Sequence, residues 1–226
     1  MEIKKKFILT IVLLSYLATA INGAIVITGL ENMAKDLDLN QSVLSWVQNS
    51  YVLAWGCFML LGGRLSDVFG RRGILNLSLL LFGIGSLFAG IATSATILIF
   101  SRFIQGVGAS ILAPTSLALI MDYFTGEERI KAIAWYSSIS GLGMCIGLVI
   151  GGTLASFFSW RYGFFIYLPL IVFMLIVSMK VLNKNKQKHS KGYFDICGTI
   201  ASVIGIFSFV YACLLYTSPS PRDRTR

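Results

Sequence analysis

Long apolar runs separated by short polar segments make up most of this 226-residue chain. A helix of about 20 residues crosses the roughly 30 Å hydrocarbon core of a bilayer, and these runs reach that length. Backbone groups in lipid must pair within their own segment, so the runs predict α-helices and the polar segments predict the connections. We expect seven spans, at residues 7–30, 42–61, 74–92, 97–121, 132–157, 163–181 and 194–216.

The order of the runs divides the chain into four parts. Residues 1–182 predict a six-helix transmembrane half, 183–193 a basic cytosolic linker and 194–216 a seventh transmembrane helix. Residues 217–226 read TSPSPRDRTR and resemble translated adapter sequence. We therefore expect a non-native tail on a truncated N-terminal part of a longer protein, with a natural disordered tail as the alternative.

The composition points to a membrane protein, because 56% of the residues are hydrophobic and 13% are charged. The net charge of +9 would suit nucleic-acid binding. The basic residues fall at the ends of the apolar runs, however, so the expected partner is the lipid bilayer and not nucleic acid. The four cysteines lie inside apolar runs without metal-ligand spacing, so no metal site is predicted.

Basic residues also predict the orientation. One side of the predicted spans receives thirteen lysines and arginines, and the connections on the other side carry only Lys35 and Arg161. Cytosolic loops carry the excess of basic residues, so we expect a multi-pass plasma-membrane protein with a cytosolic N-terminus. A cleaved signal peptide is the alternative for the first run, but that run continues past its small-residue site and further spans follow.

The connection between the second and third spans reads GGRLSDVFGRRGIL. Its residues predict a tight cationic turn, and they resemble the G-x-L-x-D-x-x-G-R-R-x-x-L signature of the major facilitator superfamily of transporters. The resemblance implies a charge network at the cytosolic face that locks two six-helix halves together and releases as the transporter switches. Its candidate members are Gly63, Asp67, Gly70, Arg71, Arg72 and, from the next cytosolic connection, Arg129.

The fourth span contains Arg102, with Gln105 one turn later on the same face. A charged side chain at membrane depth costs about 2.5–3.5 kcal/mol, so such residues usually face the bundle interior or a cavity. Snorkelling to the headgroups is the alternative. The stretch RFIQGVGA resembles the superfamily's fourth-helix motif, R-x-x-Q-G-x-G-A. The cavity candidates are Arg102 and Gln105, with weaker candidates on the first two spans: Asn22, Gln48 and Tyr51.

Glycines recur along the fifth span at Gly143, Gly147 and Gly151, with Gly152 beside them. Small residues at this spacing predict close packing of another helix. The run GMCIGLVIGG resembles a motif of the antiporter branch, except that Leu148 stands where that branch has proline. This departure leaves uptake open as an alternative to export.

Two further stretches, WRYGFFIYLP and INGAIVITGLENMAKDL, resemble the fourteen-helix drug:proton antiporter branch of the superfamily. The resemblance implies export of a small amphipathic substrate in exchange for protons, by alternating access between two halves. Asn22 stands where the branch has an aspartate, and an amide cannot carry a proton near neutral pH. We expect the titrating acid in the missing C-terminal half, with Asp195 as a weak local candidate.

The predicted fold is therefore an all-α membrane protein of the major facilitator superfamily, with an N-terminal six-helix half and a seventh transmembrane helix. An enzyme would need a clustered nucleophile, acid–base pair or metal set. The single histidine, His189, lies in the basic linker, so neither an enzyme nor a cofactor is predicted. A non-transporting membrane sensor or enzyme is the remaining alternative.

Overall fold

The computed structural model describes residues 3–182 and 196–217, and these residues form helices joined by short connections. The prediction of six spanning helices followed by a seventh apolar helix is confirmed. Six helices are long and apolar enough to cross a membrane, with α6 and α7 together forming the sixth. The helices are α1 Ile3–Leu37, α2 Gln41–Phe69, α3 Arg71–Gly90, α4 Ala95–Tyr123, α5 Gly126–Phe157, α6 Tyr162–Phe165, α7 Tyr167–Val181 and α8 Ile196–Thr217.

Contacts between helix ends show that α1 and α5 run in the same direction. Lys5 Nζ pairs with Glu128 Oε2 at 2.6 Å, which brings the start of α1 to the start of α5. We call this the basic end of the bundle, because the predicted cationic connections lie there. At the other end, called the opposite end below, Trp160 Nε1 donates to Asp36 Oδ2 at 3.1 Å and joins the end of α1 to the connection before α6.

The fourth helix lies at the centre of the bundle, packed against α1, α2 and α3, while α5 packs mainly against α1. Most of the α4 residues between Leu98 and Ile120 are buried, including polar ones. Burying apolar surface contributes about 25 cal/mol per Å², but only where the surface leaves water. Between helices in lipid, close packing of small residues supplies much of the stabilisation instead.

The glycines of α5 pack on α1. A Cβ atom added at Gly147 would lie 2.7 Å from Ala24 Cβ and 2.9 Å from the Ile21 carbonyl oxygen, and Gly143 and Gly151 meet α1 in the same way. Gly152 differs, because an added Cβ would meet no atom within 4 Å. Assigning Gly152 to this packing motif was therefore wrong. Successive residues of an α-helix are rotated by about 100°, so Gly152 points away from the face on which Gly151 packs against α1.

Several helices are longer than the apolar runs predicted. The segment after residue 30 continues as helix to Leu37, where Lys35 Nζ pairs with Glu31 Oε1 at 2.7 Å along the helix. The expected turn at residues 62–75 is a single residue, since α2 extends to Phe69 and only Gly70, at φ 92°, separates it from α3. A positive φ strains residues that carry a Cβ, so glycine suits this break.

The predicted seventh span corresponds to α8, because α6 and α7 together form the sixth. It packs on α2, where the ring centroids of Tyr211 and Trp46 lie 6.1 Å apart. The predicted basic linker at 183–193, the candidate Asp195 and residues 218–226 lie outside the described residues.

Replacing Gly147 by alanine tests the contact between α1 and α5. The added methyl group overlaps α1, and such overpacking costs about 1–3 kcal/mol, so we expect a clear fall in the melting temperature of the purified protein. The matched control is Gly152→Ala on the same helix, which meets open space and has the higher helix propensity of alanine. Equal melting temperatures for the two variants would contradict this packing.

Candidate functional site

Arg102 lies about 10 Å from the start of α4, which begins beyond the Ser94 N-cap. Only 1% of its surface is exposed, so the guanidinium points into the bundle. The snorkelling alternative is therefore wrong for this side chain. Its burial requires partners for the charge, because an isolated ion is expensive to remove from water.

Three hydrogen bonds connect the Arg102 guanidinium to its surroundings. Nε donates to the Val47 carbonyl oxygen of α2 at 3.3 Å, and Nη1 donates to Asn22 Oδ1 of α1 at 2.6 Å. Nη1 also donates to Gln105 Oε1, one turn further along α4. Arg102 thus joins three helices at one point.

Tyr51 supplies a further contact, because its ring centroid lies 4.2 Å from Arg102 Cζ. A cation over an aromatic face is attracted to the ring quadrupole, by about 2 kcal/mol or more where water is excluded. Tyr51 follows Val47 by four residues, so the carbonyl and the ring occupy one face of α2. This face of α2 is therefore shaped around the guanidinium.

Gln105 carries the network on to α3. Its Nε2 donates to Ser86 Oγ at 2.7 Å, and that hydroxyl donates to the Phe82 carbonyl oxygen at 2.8 Å. The backbones approach closely here, since a Cβ at Gly85 would lie 2.7 Å from the Gln105 nitrogen. Sequence analysis did not identify Ser86 as a member of this network, because it is a single serine within an apolar run.

All the acceptors that contact Arg102 are neutral. They are two side-chain amide oxygens and a backbone carbonyl, with a ring face beside them. Within residues 3–182 and 196–217, no aspartate or glutamate is buried and none pairs with Arg102. The charge is therefore stabilised by fixed dipoles, each hydrogen bond to a charged group contributing about 1.5–3 kcal/mol.

Two buried polar atoms in this part of the bundle, Asn22 Nδ2 and the Tyr167 hydroxyl, face each other at a geometry short of a full hydrogen bond, and neither has another partner among the described residues. The residues are 0% and 2% exposed. A buried polar group without a well-formed hydrogen bond is less stable than a fully paired one, so this contact extends the polar cluster to α7 without the full stability of a hydrogen bond. Tyr167 lies in the stretch WRYGFFIYLP, and no role was predicted for it from the sequence.

The other cavity candidate, Gln48, is not part of this cluster. Its side chain is half-buried and forms no hydrogen bond with a residue in the described ranges. Because Val47 and Tyr51 turn toward Arg102, the next residue after Val47 is directed about 100° away. Of the five candidates, the structure brings together Arg102, Gln105, Asn22 and Tyr51.

At the basic end, Arg71 is the centre of an ion-pair cluster. It forms an ion pair with Asp67, four residues earlier, and its Nη1 donates to the Ser66 hydroxyl oxygen at 2.9 Å. Its Nε donates to Asp122 Oδ2 at 3.1 Å. Asp122 lies near the end of α4 and was not among the predicted members. Neighbouring Arg72 donates from Nη2 to the Met179 carbonyl oxygen of α7 at 3.0 Å.

Two further predicted members of this cluster are placed differently. Arg129 donates from Nε to the Phe124 carbonyl oxygen at 2.8 Å and from Nη2 to the Met121 carbonyl oxygen at 3.0 Å. Placing Arg129 in the network was therefore wrong: it binds the free carbonyl groups at the end of α4, where a cation is favourable. Gly63 lies beside Pro114, at ordinary contact distance for an added Cβ.

The sequence model of the Major Facilitator Superfamily matches residues 12–220. The chain is similar to the puromycin resistance protein pur8 of Streptomyces alboniger, with 35% identity over 90% of this chain and 41% of the relative. It is also similar to the multidrug transporter protein MdtP of Bacillus subtilis, with 30% identity over 92% of this chain and 38% of the relative.

The fold agrees with a solved transporter structure. A bacterial homolog of the human lysosomal transporter Spinster, in an inward-facing conformation, superposes with a TM-score of 0.66 at 17% identity. The match covers 85% of this chain and 45% of that chain. The chain spans about two fifths of the length of the two curated relatives.

Substitutions at Tyr51 separate the ring from its hydroxyl, which makes no hydrogen bond with a described residue. Tyr51→Phe keeps the aromatic face over Arg102, so we expect the free energy of unfolding to change by less than about 0.5 kcal/mol. Tyr51→Leu keeps an apolar side chain but removes the face, and should cost about 1–2 kcal/mol. Denaturant unfolding of the purified protein measures both, and equal losses would contradict the cation–π contact.

Proposed function

Because this chain belongs to the major facilitator superfamily, we propose that it forms one six-helix unit of a transporter that exports small amphipathic molecules such as drugs. The observation that carries the proposal is the Arg102 site, a charged polar cluster at the centre of a helical bundle of this fold. The names of two similar proteins, a puromycin resistance protein and a multidrug transporter, support export. Membership in a transporter family decides against the membrane-enzyme alternative.

Transport by this fold works through alternating access, in which two repeated units rock about a central site. The described residues contain one six-helix unit and α8. The proposal therefore includes a second six-helix unit of the same polypeptide, which would close the other side of the substrate path. The proposal includes the fourteen-helix branch, which rests on the resemblance of the stretches WRYGFFIYLP and INGAIVITGLENMAKDL to that branch.

The orientation is proposed from charge. The basic end collects the lysines and arginines of the predicted cytosolic connections, including Arg71, Arg72 and Arg129. Cytosolic connections of membrane proteins carry such an excess, so the basic end would face the cytosol of a cell with this protein in its plasma membrane. The start of α1 would then lie inside.

Protons are the proposed coupling ion, and the Arg102 site limits where they can be carried. Arginine stays protonated, and the groups around it are amides, a carbonyl, a serine and tyrosines. Since no carboxylate is buried in the described residues, the acid that takes up and releases the proton would lie elsewhere in the protein. In this half Arg102 would shape the substrate path and hold a fixed positive charge beside it.

Loss of the guanidinium tests the transport role. In the full-length gene, expressed in a drug-sensitive bacterium, Arg102→Ala should lower efflux of dyes and antibiotics by about tenfold or more, at near-normal membrane expression. The matched control is Ser101→Ala, which removes a buried hydroxyl bonded only within its own helix. Unchanged efflux in the Arg102 variant would refute the role, and net uptake by the wild type would refute export. Efflux that persists without a proton gradient would contradict proton exchange.

The ion-pair cluster at the basic end should act on the switching step. Asp67→Asn and Asp122→Asn each leave Arg71 one partner short, so we expect kcat to fall about threefold or more with little change in KM. Glu127→Gln is the control, because that carboxylate lies exposed at the same end and contacts no described charge. A rise in KM equal to the fall in kcat/KM would indicate a substrate-binding role instead.

A further inference from the structure

Two short connections at opposite ends of the bundle have related sequences. Between α2 and α3 the chain reads G-R-R-G-I-L at residues 70–75, and before α7 it reads W-R-Y-G-F-F at residues 160–165. Both contain arginine, any residue and glycine, followed by two apolar residues, so Arg71 corresponds to Arg161. Each connection joins the second and third members of a three-helix set, where α6 and α7 count as one helix.

The arginines of the first connection bind the other three-helix set. Arg71 Nε donates to Asp122 Oδ2 at 3.1 Å, one residue before α4 ends. Arg72 Nη2 donates to the Met179 carbonyl oxygen at 3.0 Å, near the end of α7. One contact is thus a carboxylate at the end of the first helix of that set, and the other is a backbone carbonyl at the end of its third helix.

Arg161 repeats this pattern at the opposite end. Its Nη1 donates to Asp36, one residue before α1 ends, and its Nη2 donates to the Ala92 carbonyl oxygen at 3.0 Å, just beyond the end of α3. The partners are again a carboxylate near the end of the first helix of a set and a backbone carbonyl close to the end of its third helix. The first set of contacts becomes the second when α1 is replaced by α4, α2 by α5 and α3 by α6–α7, and the reverse. Three-helix sets related in this way form an inverted repeat.

Trp160 holds this second pair in place. Its Nε1 donates to Asp36 Oδ2 at 3.1 Å, and its ring centroid lies 4.4 Å from Arg161 Cζ. The indole is itself buried in an apolar cluster with Phe164 and Met33. Trp160 is therefore turned inward, and its ring packs beside the ion pair between Arg161 and Asp36.

The pair is more enclosed than an ordinary surface ion pair on the same helix. The side chains of Arg161 and Asp36 are 30% and 45% exposed, against 71% and 79% for Lys35 and Glu31. Exposed pairs contribute little because water and salt screen them. The Trp160 ring beside the pair and the two donors to the Asp36 carboxylate, Trp160 Nε1 and Arg161 Nη1, reduce that screening.

We propose that Asp36, Arg161 and Trp160 form a clamp at the opposite end, the repeat-related counterpart of the Arg71 cluster. The clamp positions the ends of α1 and α3 against the connection before α6, so that the six-helix unit moves as one body. This role rests on the proposed alternating-access transport. The three residues are positioning residues, distant from the Arg102 site.

Hydrogen–deuterium exchange on the purified full-length protein tests the clamp through backbone exchange rates, without requiring transport. Asp36→Asn and Arg161→Gln should each speed backbone exchange about threefold or more in residues 34–40 and 89–93, and leave residues 66–72 and 119–124 unchanged. Arg71→Gln should give the reverse pattern. The matched control is Glu31→Gln, which breaks the exposed pair and should change neither end. Uniform or absent changes would overturn the clamp.

Transport kinetics then test the positioning role. Each of the two clamp variants should lower kcat about threefold with KM unchanged, and the double variant should be no worse than the more affected single one. Trp160→Phe keeps the ring but removes one donor, so its effect should be smaller. Additive losses, or an equal rise in KM, would overturn the role. A wild type that transports nothing would refute the proposed function, while the exchange pattern would still decide the clamp.

Discussion

A buried guanidinium with only neutral partners is the constraint on which the rest of this bundle depends. The cost of removing a charge from water is large, and no single hydrogen bond repays it. Arg102 therefore needs several dipoles at once, and these come from α1, α2 and its own helix, with α3 held through Gln105. Four helices must meet within side-chain reach of one point, which fixes their spacing and rotation.

Such a meeting is possible only where helices approach closely. A Cβ atom at Gly106 would lie 2.5 Å from the Tyr51 carbonyl oxygen, and one at Gly108 would lie 2.5 Å from the Phe82 nitrogen. Glycines on α4 thus place α2 and α3 on either side of the arginine, in addition to letting helices pack in lipid, where the hydrophobic effect does not drive them together. The glycines and the charged site are one arrangement, since enlarging either residue would move the groups that hold the guanidinium.

The sequence predicted the spans well because twenty-residue apolar runs have few alternatives in a membrane. It predicted the helix ends poorly, because α1 and α2 extend beyond the apolar region as polar helix and only Gly70 gives a sharp break. The cost of a buried charge was enough to turn Arg102 inward. Composition could not tell which face of α2 meets Arg102, so Tyr51 and Gln48 were both candidates, although only Tyr51 of the two contacts the guanidinium among the described residues.

The missed residues are of another kind. Ser86 and Tyr167 gain their importance from neighbours distant in sequence, and a serine or tyrosine in an apolar run gives no signal of that. Asp122 lies near the end of α4 and Arg129 in the first turn of α5, and the sequence alone could not assign Arg129 to carbonyl groups and Asp122 to Arg71. Local chemistry predicted which residues carry charge, while the three-dimensional arrangement determined their partners.

Depth in the bundle separates the two kinds of interaction. The charged side chains at the two ends remain partly exposed, so water can replace part of a lost contact, and breaking one costs less than it would at the centre. Arg102 has no such substitute, because breaking its contacts would leave buried dipoles and a buried charge unpaired. Substitutions at the ends should therefore loosen the bundle only there, while the centre keeps its geometry. This distribution of costs favours motion of the unit as a whole over rearrangement within it.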